Sequence, residues 1–279
     1  MKFIFFGSPE FAAIILEKLI NTEYIPSAVI CSPDKPAGRK KIITPPPTKI
    51  IAQKHNTPVW QPEKLDDYLI AKLLNHKPDF FIVAAYSKII PKEILEIPQL
   101  GTIGVHPSLL PKYRGASPIQ TAILNNDEKT GTTLYLMDEK MDHGGIISNL
   151  KFQISNFDTY ETLMQKLAEL SANLLIEILP NIEEKIKNVK PQNESEATYT
   201  KKFQTEDAFI KPENLEKAEK EGGKIANEIN NKIRAFYPEP GVYTFINNKR
   251  IKLLEAKIID NKLKLTKTQI EGKTPVALN

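Results

Sequence analysis

Apolar residues in this chain fall first into short unbroken runs and later into helical and alternating spacings. Lys2 to Phe6, Ser27 to Cys31 and Asp79 to Ala85 are near-continuous apolar stretches of strand length. Strands that are apolar at every position are covered on both faces, as in a parallel sheet. Between the first two runs, Phe11, Ile14, Ile15, Leu16 and Leu19 give a helix its apolar face. Gly7-Ser8-Pro9-Glu10 precedes that helix, with Ser8 expected as its cap and Pro9 as its opening residue. Further along, Gly101 to Val105 predicts a strand, Pro118 to Leu124 a helix, Thr130 to Met137 an alternating strand and Ile146 to Ile154 its partner. Tyr160, Leu163, Leu167, Leu170, Leu174 and Ile178 predict one long amphipathic helix over Thr159 to Val189.

The order of these elements predicts an α/β fold, a Rossmann-like mostly parallel sheet with helices on both faces. The dinucleotide fingerprint is absent from the first strand–helix turn, which has one glycine where three are needed. That beginning is scaffold. At 279 residues the chain can bury one large core and one smaller one. The polar stretch Pro191 to Glu196 divides it into a domain over 1–189, a linker over 190–203 and a second domain over 204–279. The second domain opens with charged helical sequence up to Arg234. It then turns through Ala235 to Gly241 into strands over Val242–Ile246 and Ile251–Ile259.

Composition narrows the picture without deciding it. No apolar run is long enough to span a bilayer, and Met1 to Phe6 is too short for a signal peptide. The single cysteine, Cys31, cannot form an internal disulfide and reads as a small core residue. A cytosolic monomer is the expectation. Four histidines and one cysteine show no ligand spacing, so no metal is expected. A net charge of +4 is mild, yet from Lys232 to the end ten Lys or Arg face four Asp or Glu, a local net of +6. A basic β-module of this kind suits a nucleic-acid backbone, with Arg234, Lys249 and Arg250 as candidate contacts. A second basic segment, Lys35 to Lys41, lies among prolines that argue against regular structure. Arg39, Lys40 and Lys41 there could reach phosphates, with Arg39 able to bind one bidentately.

The strand over Gly101 to Val105 delivers His106 and runs at once into Pro107, which ends it. In an open α/β sheet the carboxyl ends of strands are where ligands sit. The stretch that follows, His106-Pro107-Ser108-Leu109-Leu110-Pro111-Lys112-Tyr113-Arg114-Gly115, resembles the signature of the folate-dependent formyltransferases. Across its whole length the chain is similar to the methionyl-tRNA branch of that family. The resemblance implies a co-substrate, 10-formyltetrahydrofolate, and a partner, initiator methionyl-tRNA. It implies a folate site lined by Tyr86, Ser108, Leu109, Leu110 and Pro111, and a basic loop around Arg39 that approaches the acceptor end of tRNA. It also implies a second domain of the oligonucleotide-binding barrel type. That barrel is abbreviated here, because the chain passes from Ala256-Lys257-Ile258 almost directly to Gln269.

The same resemblance assigns the chemistry. His106 would stabilise the negative oxygen that develops when the methionine amine attacks the formyl carbon, and Asp142 would orient His106 and relay the amine proton. Asp142 sits in Met141-Asp142-His143-Gly144, a modest departure from the usual pattern; His143 carries no assigned role. The larger departure is Gly104, where the family usually has the asparagine that serves as second oxyanion donor. Losing such a donor costs roughly 2.7–4 kcal/mol. Glycine leaves room for a water to restore part of it, and Gly104→Asn is then expected not to raise the rate by orders of magnitude. Alternatives within the family are an amino-sugar-nucleotide formyltransferase and a formyltetrahydrofolate hydrolase. Outside enzymes, the alternative is a folate- or RNA-binding relative without turnover.

Overall fold

The computed structural model describes residues 1–38 and 40–278. Strands β1 (Phe3–Gly7) and β2 (Ala28–Ile30) flank the helix Glu10–Asn21; β3 (Lys35–Ala37) and β4 (Ile42–Thr44) form a small hairpin. Then come β5 (Val59–Trp60), β6 (Phe80–Ala84), β7 (Thr102–His106), the short β8 (Arg114–Gly115), β9 (Lys129–Leu136) and β10 (Ile146–Gln153). Seven of these make one sheet in the order β10-β9-β7-β6-β1-β2-β5. Pairings from β5 through β2, β1 and β6 to β7 are parallel, and β9 joins β7 antiparallel. The apolar runs become its centre: Phe3 to Phe6 and Phe80 to Ile82 are each at most 3% exposed.

Local details differ from expectation for physical reasons. Ser8 does not cap the first helix; its hydroxyl accepts from the Ser32 amide at 2.9 Å and bonds the Ser32 hydroxyl at 3.1 Å, while Pro9 is the N-cap. The proline-rich basic segment is not irregular. It pairs Lys35–Ala37 with Ile42–Thr44 in a two-stranded ribbon, whose outer edges need no donor and so accept Pro36. The long helix breaks at Pro180, which has no N–H and clashes with the preceding turn. The break leaves Tyr160–Ile178, a 3₁₀ turn Leu179–Asn181 and a helix Ile182–Lys187.

The chain forms two compact units. The first comprises residues 1–114, 131–152 and 165–199, and the second 115–130, 153–164 and 200–279. The second therefore takes in residues 115–130 and 153–164, which the sequence reading gave to the first domain. After β11 (Tyr199–Thr200), which pairs with β8, come helices Pro212–Lys220 and Lys224–Ala235. Strands β12 (Tyr243–Ile246), β13 (Lys249–Ile259), β14 (Lys262–Ile270) and β15 (Val276–Ala277) complete the chain as an antiparallel meander. Two tight turns set its register. Asn247-Asn248 and Asp260-Asn261 have positive φ at both positions, as a two-residue hairpin loop requires. The segment between Ile258 and Gln269, read from sequence as lacking strands, is the end of β13 and most of β14. Among the described residues β12 and β15 are the outer strands of the meander and do not pair with each other, Tyr243 of β12 instead making an isolated parallel bridge with Phe209, so the expected barrel is an open four-stranded sheet. No described helix is long and apolar enough to cross a membrane.

Candidate active site

Two neighbouring strands of the first unit meet at one point. β7 ends at His106, and directly opposite lies Thr133 of β9. The Thr133 hydroxyl donates to the Ser108 carbonyl at 2.7 Å and accepts from the Leu110 amide at 3.1 Å, tying the turn after His106 to β9. His106 is 6% exposed, and its Nε2 lies 2.8 Å from the Tyr113 carbonyl. A carbonyl can only accept, so Nε2 carries a hydrogen in either protonation state. Nδ1 is therefore the atom that gains and loses the proton, and it faces Asp142 Oδ2 at 3.6 Å.

The loop carrying Asp142 is held from several sides. Asp142 has φ of +51°, in the left-handed region that aspartate tolerates better than most residues. Gly144 follows because a Cβ there would lie 1.7 Å from the Leu136 carbonyl oxygen. Gln192 Nε2 donates to the Asp142 and Gly144 carbonyls at 2.9 and 2.8 Å. Its Oε1 in turn accepts from Arg114 Nε and Nη2 at 3.1 and 2.7 Å. Arg114 is fully buried and also binds Glu194 through two bonds of 3.0 and 2.6 Å and the Tyr199 hydroxyl at 3.1 Å. That guanidinium holds the Glu194 carboxyl below its ordinary range. On the other side of Asp142, the Tyr135 hydroxyl donates to Oδ1 at 2.7 Å. Burial, with the Asp142 charge adding to it, pushes the Tyr135 phenol well above its ordinary value.

The expected lining residues divide. Ser108 is fully buried and donates to the Lys112 carbonyl at 2.6 Å, and Leu110 is 5% exposed. These two brace the turn from inside and do not form its face, because the polar atoms of a proline-bounded turn must find partners within it. Leu109 and Pro111 are half-buried and remain on the surface of the turn. Tyr86 packs edge-on against Phe6, with ring centroids 5.5 Å apart. Its hydroxyl is buried without a partner among the described residues, and burial pushes it up to about 12. It follows β6, the parallel neighbour of β7, so its segment leaves the same edge of the sheet as His106. An unpartnered buried phenol at that edge is a donor available to a ligand.

Gly104 does not leave an open space. A Cβ there would lie 2.3 Å and 2.4 Å from ring carbons of Tyr135, so the ring fills the volume expected to hold water.

The basic residues also separate. Arg39 lies outside the described residues. Lys40 and Lys41 are exposed in the turn between β3 and β4, beside Ile42 and Ile43. Lys249 is exposed, and the Arg250 guanidinium lies 3.7 Å from the centre of the Tyr243 ring. Arg234 is different. It is 9% exposed and donates to the Asp158 carbonyl at 2.9 Å and Asn231 Oδ1 at 2.7 Å, so its charge serves packing and not a phosphate surface. Burial lowers its pKa from the usual guanidinium value. No cluster of metal-ligating side chains occurs among the described residues.

Sequence reasoning missed Tyr135, Gln192 and the role of Arg114. Arg114 stood inside the quoted signature, but its burial was not readable there. Gln192 and Glu194 lay in a stretch whose polarity reads as a linker.

Residues 1–179 match the formyl transferase family, and residues 223–276 match the formyl transferase C-terminal domain. The chain is 39% identical over 262 residues to a methionyl-tRNA formyltransferase of Thermotoga maritima, covering 94% of this chain and 80% of that one. It is 38% identical over 272 residues to one from Staphylococcus aureus, covering 97% and 84%. The solved structure of a methionyl-tRNA formyltransferase from Clostridium thermocellum is similar with a TM-score of 0.64 at 21% identity, covering 97% of this chain and 98% of that one. A sugar 3N-formyl transferase, WlaRD, matches with a TM-score of 0.65 at 23% identity, covering 93% and 87%. At those identities the two structures speak for the fold alone.

Proposed function

This chain belongs to the methionyl-tRNA formyltransferase family, and we propose that His106 and Asp142 carry its reaction. It transfers a formyl group from 10-formyltetrahydrofolate to the α-amine of initiator methionyl-tRNA. The observation that carries the assignment of residues is the orientation of the pair. One imidazole nitrogen is fixed as a donor by a carbonyl, and the other faces a carboxylate at 3.6 Å at the carboxyl edge of the sheet.

The folate, when bound, supplies an activated formyl carbon on a nitrogen leaving group. The residues at this edge suit it: Tyr86 offers an unpartnered donor, and Leu109 and Pro111 an apolar surface. His106 Nδ1, when protonated, donates to the formyl oxygen as negative charge develops there. Asp142 Oδ2 accepts the proton that the amine loses as its nitrogen bonds the formyl carbon. His106 delivers its Nδ1 proton to the nitrogen from which the formyl group departs. Asp142 then returns its proton to Nδ1, so the pair ends each turnover as it began. Lys40, Lys41, Lys249 and Arg250, each an exposed or half-exposed cation, serve as phosphate contacts to the tRNA of the kind that positions a backbone, and Arg39 is assigned the same role from its sequence. The chain works as a monomer in the cytosol, where its substrates are.

The test is formyl transfer from 10-formyltetrahydrofolate to charged initiator tRNA. Wild-type chain is expected to turn over, and His106→Ala and Asp142→Ala each to lose the reaction while folate still binds. An amino-sugar nucleotide formylated faster than methionyl-tRNA would displace this reading. So would full activity in either alanine variant.

A further inference from the structure

The space beside His106 at position 104 is filled from the neighbouring strand. Gly104 and His106 are two residues apart on β7, so their positions face the same side of the sheet. Tyr135 lies directly opposite Gly104 on β9, and opposed residues share a face. A Cβ at 104 would meet the Tyr135 ring at 2.3 and 2.4 Å and its hydroxyl oxygen at 2.8 Å. The phenol ring and its hydroxyl therefore occupy the space that a side chain at 104 would enter.

Its partner is already defined, for it donates to Asp142 Oδ1 at 2.7 Å while Oδ2 faces His106. Tyr135 is 4% exposed. With its ionisation pushed well above the ordinary value, the hydroxyl keeps its proton across neutral pH and cannot become a competing base.

Resting on the functional reading above, we propose that Tyr135 is a positioning residue: it occupies the space left by the side chain absent at 104 and fixes the Asp142 carboxylate from the opposite strand, so that Oδ2 is presented to His106. Gly104 and Tyr135 then form one unit. The ring needs a residue without Cβ beneath it, and its one hydroxyl proton is committed to Asp142. An asparagine placed at 104 alone meets the ring and displaces it.

The experiment is steady-state formyl transfer by wild type, Tyr135→Phe, Tyr135→Ala, and Tyr135→Ala combined with Gly104→Asn. Phenylalanine keeps the ring and so the packing, and an unchanged melting temperature verifies this. Removing one hydrogen bond to a charged group is expected to lower kcat roughly 10- to 100-fold with KM for both substrates nearly unchanged. Tyr135→Ala is expected to be as slow or slower, and adding Gly104→Asn to it to recover about 10-fold, because the asparagine enters the vacated space and supplies an amide donor beside His106, the coupling expected of two side chains that compete for one space. A Tyr135→Phe enzyme with wild-type kcat, or a loss confined to KM, overturns the proposal. So does a double variant no faster than Tyr135→Ala; where both of those misfold, Tyr135→Phe decides alone. A wild-type chain that transfers no formyl group defeats the functional reading and this proposal together, whereas an active wild type matched by Tyr135→Phe defeats this proposal only.

Discussion

Charge is used in two opposite ways in the two units. In the first, Asp142 is reached on its backbone by Gln192, on Oδ1 by Tyr135 and on Oδ2 by His106, and behind Gln192 stands a guanidinium with no exposed surface. In the second, the cations of the four-stranded sheet stand largely in solvent, and Lys249 on β13 is an example. A group with fixed partners in a low-dielectric setting interacts strongly and cannot be moved without loss. An exposed cation is screened and one of many, so each contributes little. Single substitutions should therefore act through geometry around Asp142 and through the sum of charge on the four-stranded sheet.

The contrast makes graded predictions. The largest effect is at the pair itself: His106→Ala or Asp142→Ala should lower kcat by roughly 10²- to 10⁴-fold, the range for a positioned acid or base. Next comes Gln192→Ala, which removes two bonds to the Asp142 loop and leaves Arg114 short of an acceptor. A fall in kcat of about 10-fold is expected, in line with one or two hydrogen bonds of ~1 kcal/mol each. Unaltered kinetics in that variant would mean the loop holds its shape without the clamp.

Among the arginines and lysines of the second unit, burial decides the outcome. Arg234→Ala should cost about 1–3 kcal/mol of stability, because it removes the buried donor to the Asp158 carbonyl and to Asn231, with little change in tRNA dependence. Lys249→Ala should leave the melting temperature alone, raise KM for tRNA slightly and reduce the salt slope by about one. If Arg234→Ala behaved like Lys249→Ala, burial would not decide the outcome within the second unit.

The smallest effect concerns Glu194. Its carboxyl titrates below the usual range because Arg114 binds the charged form. A depressed folded pKa stabilises the protein above the ordinary carboxylate range, and that contribution is lost as pH falls through the folded value. Glu194→Gln should thus melt slightly lower than wild type at neutral pH, with the gap closing in acid. A gap that widened in acid would contradict the sign.

Much of the fold could be read from residue order because each signal was local. Phe3 to Phe6 and Phe80 to Val83 are apolar at every position, and only a strand covered on both faces uses such a run. His106 was legible because Pro107 ends its strand. What escaped notice depended on pairs far apart in sequence. Tyr135 occupies an ordinary slot in an alternating strand, and nothing local reveals that its cross-strand partner is a glycine; that needs the register. Arg234 and Arg250 look alike in sequence, yet one turns inward to carbonyls and the other lies over a tyrosine ring. Pro180 did carry the helix break, and an uninterrupted apolar spacing across it concealed the interruption.

The Arg114 clamp has a consequence for synthesis. Its acceptors Gln192, Glu194 and Tyr199 lie about 80 residues downstream, at separations of 78, 80 and 85. A nascent chain emerging from the ribosome exposes its histidine and aspartate long before those residues exist. Until they arrive, a cation destined for complete burial lacks the Glu194 carboxylate, and the loop bearing the aspartate lacks its Gln192 tether. The clamp is thus completed late, in the short interval when residues 190–199 leave the exit tunnel, and a chain stalled at residue 189 would carry His106 and Asp142 without their final alignment.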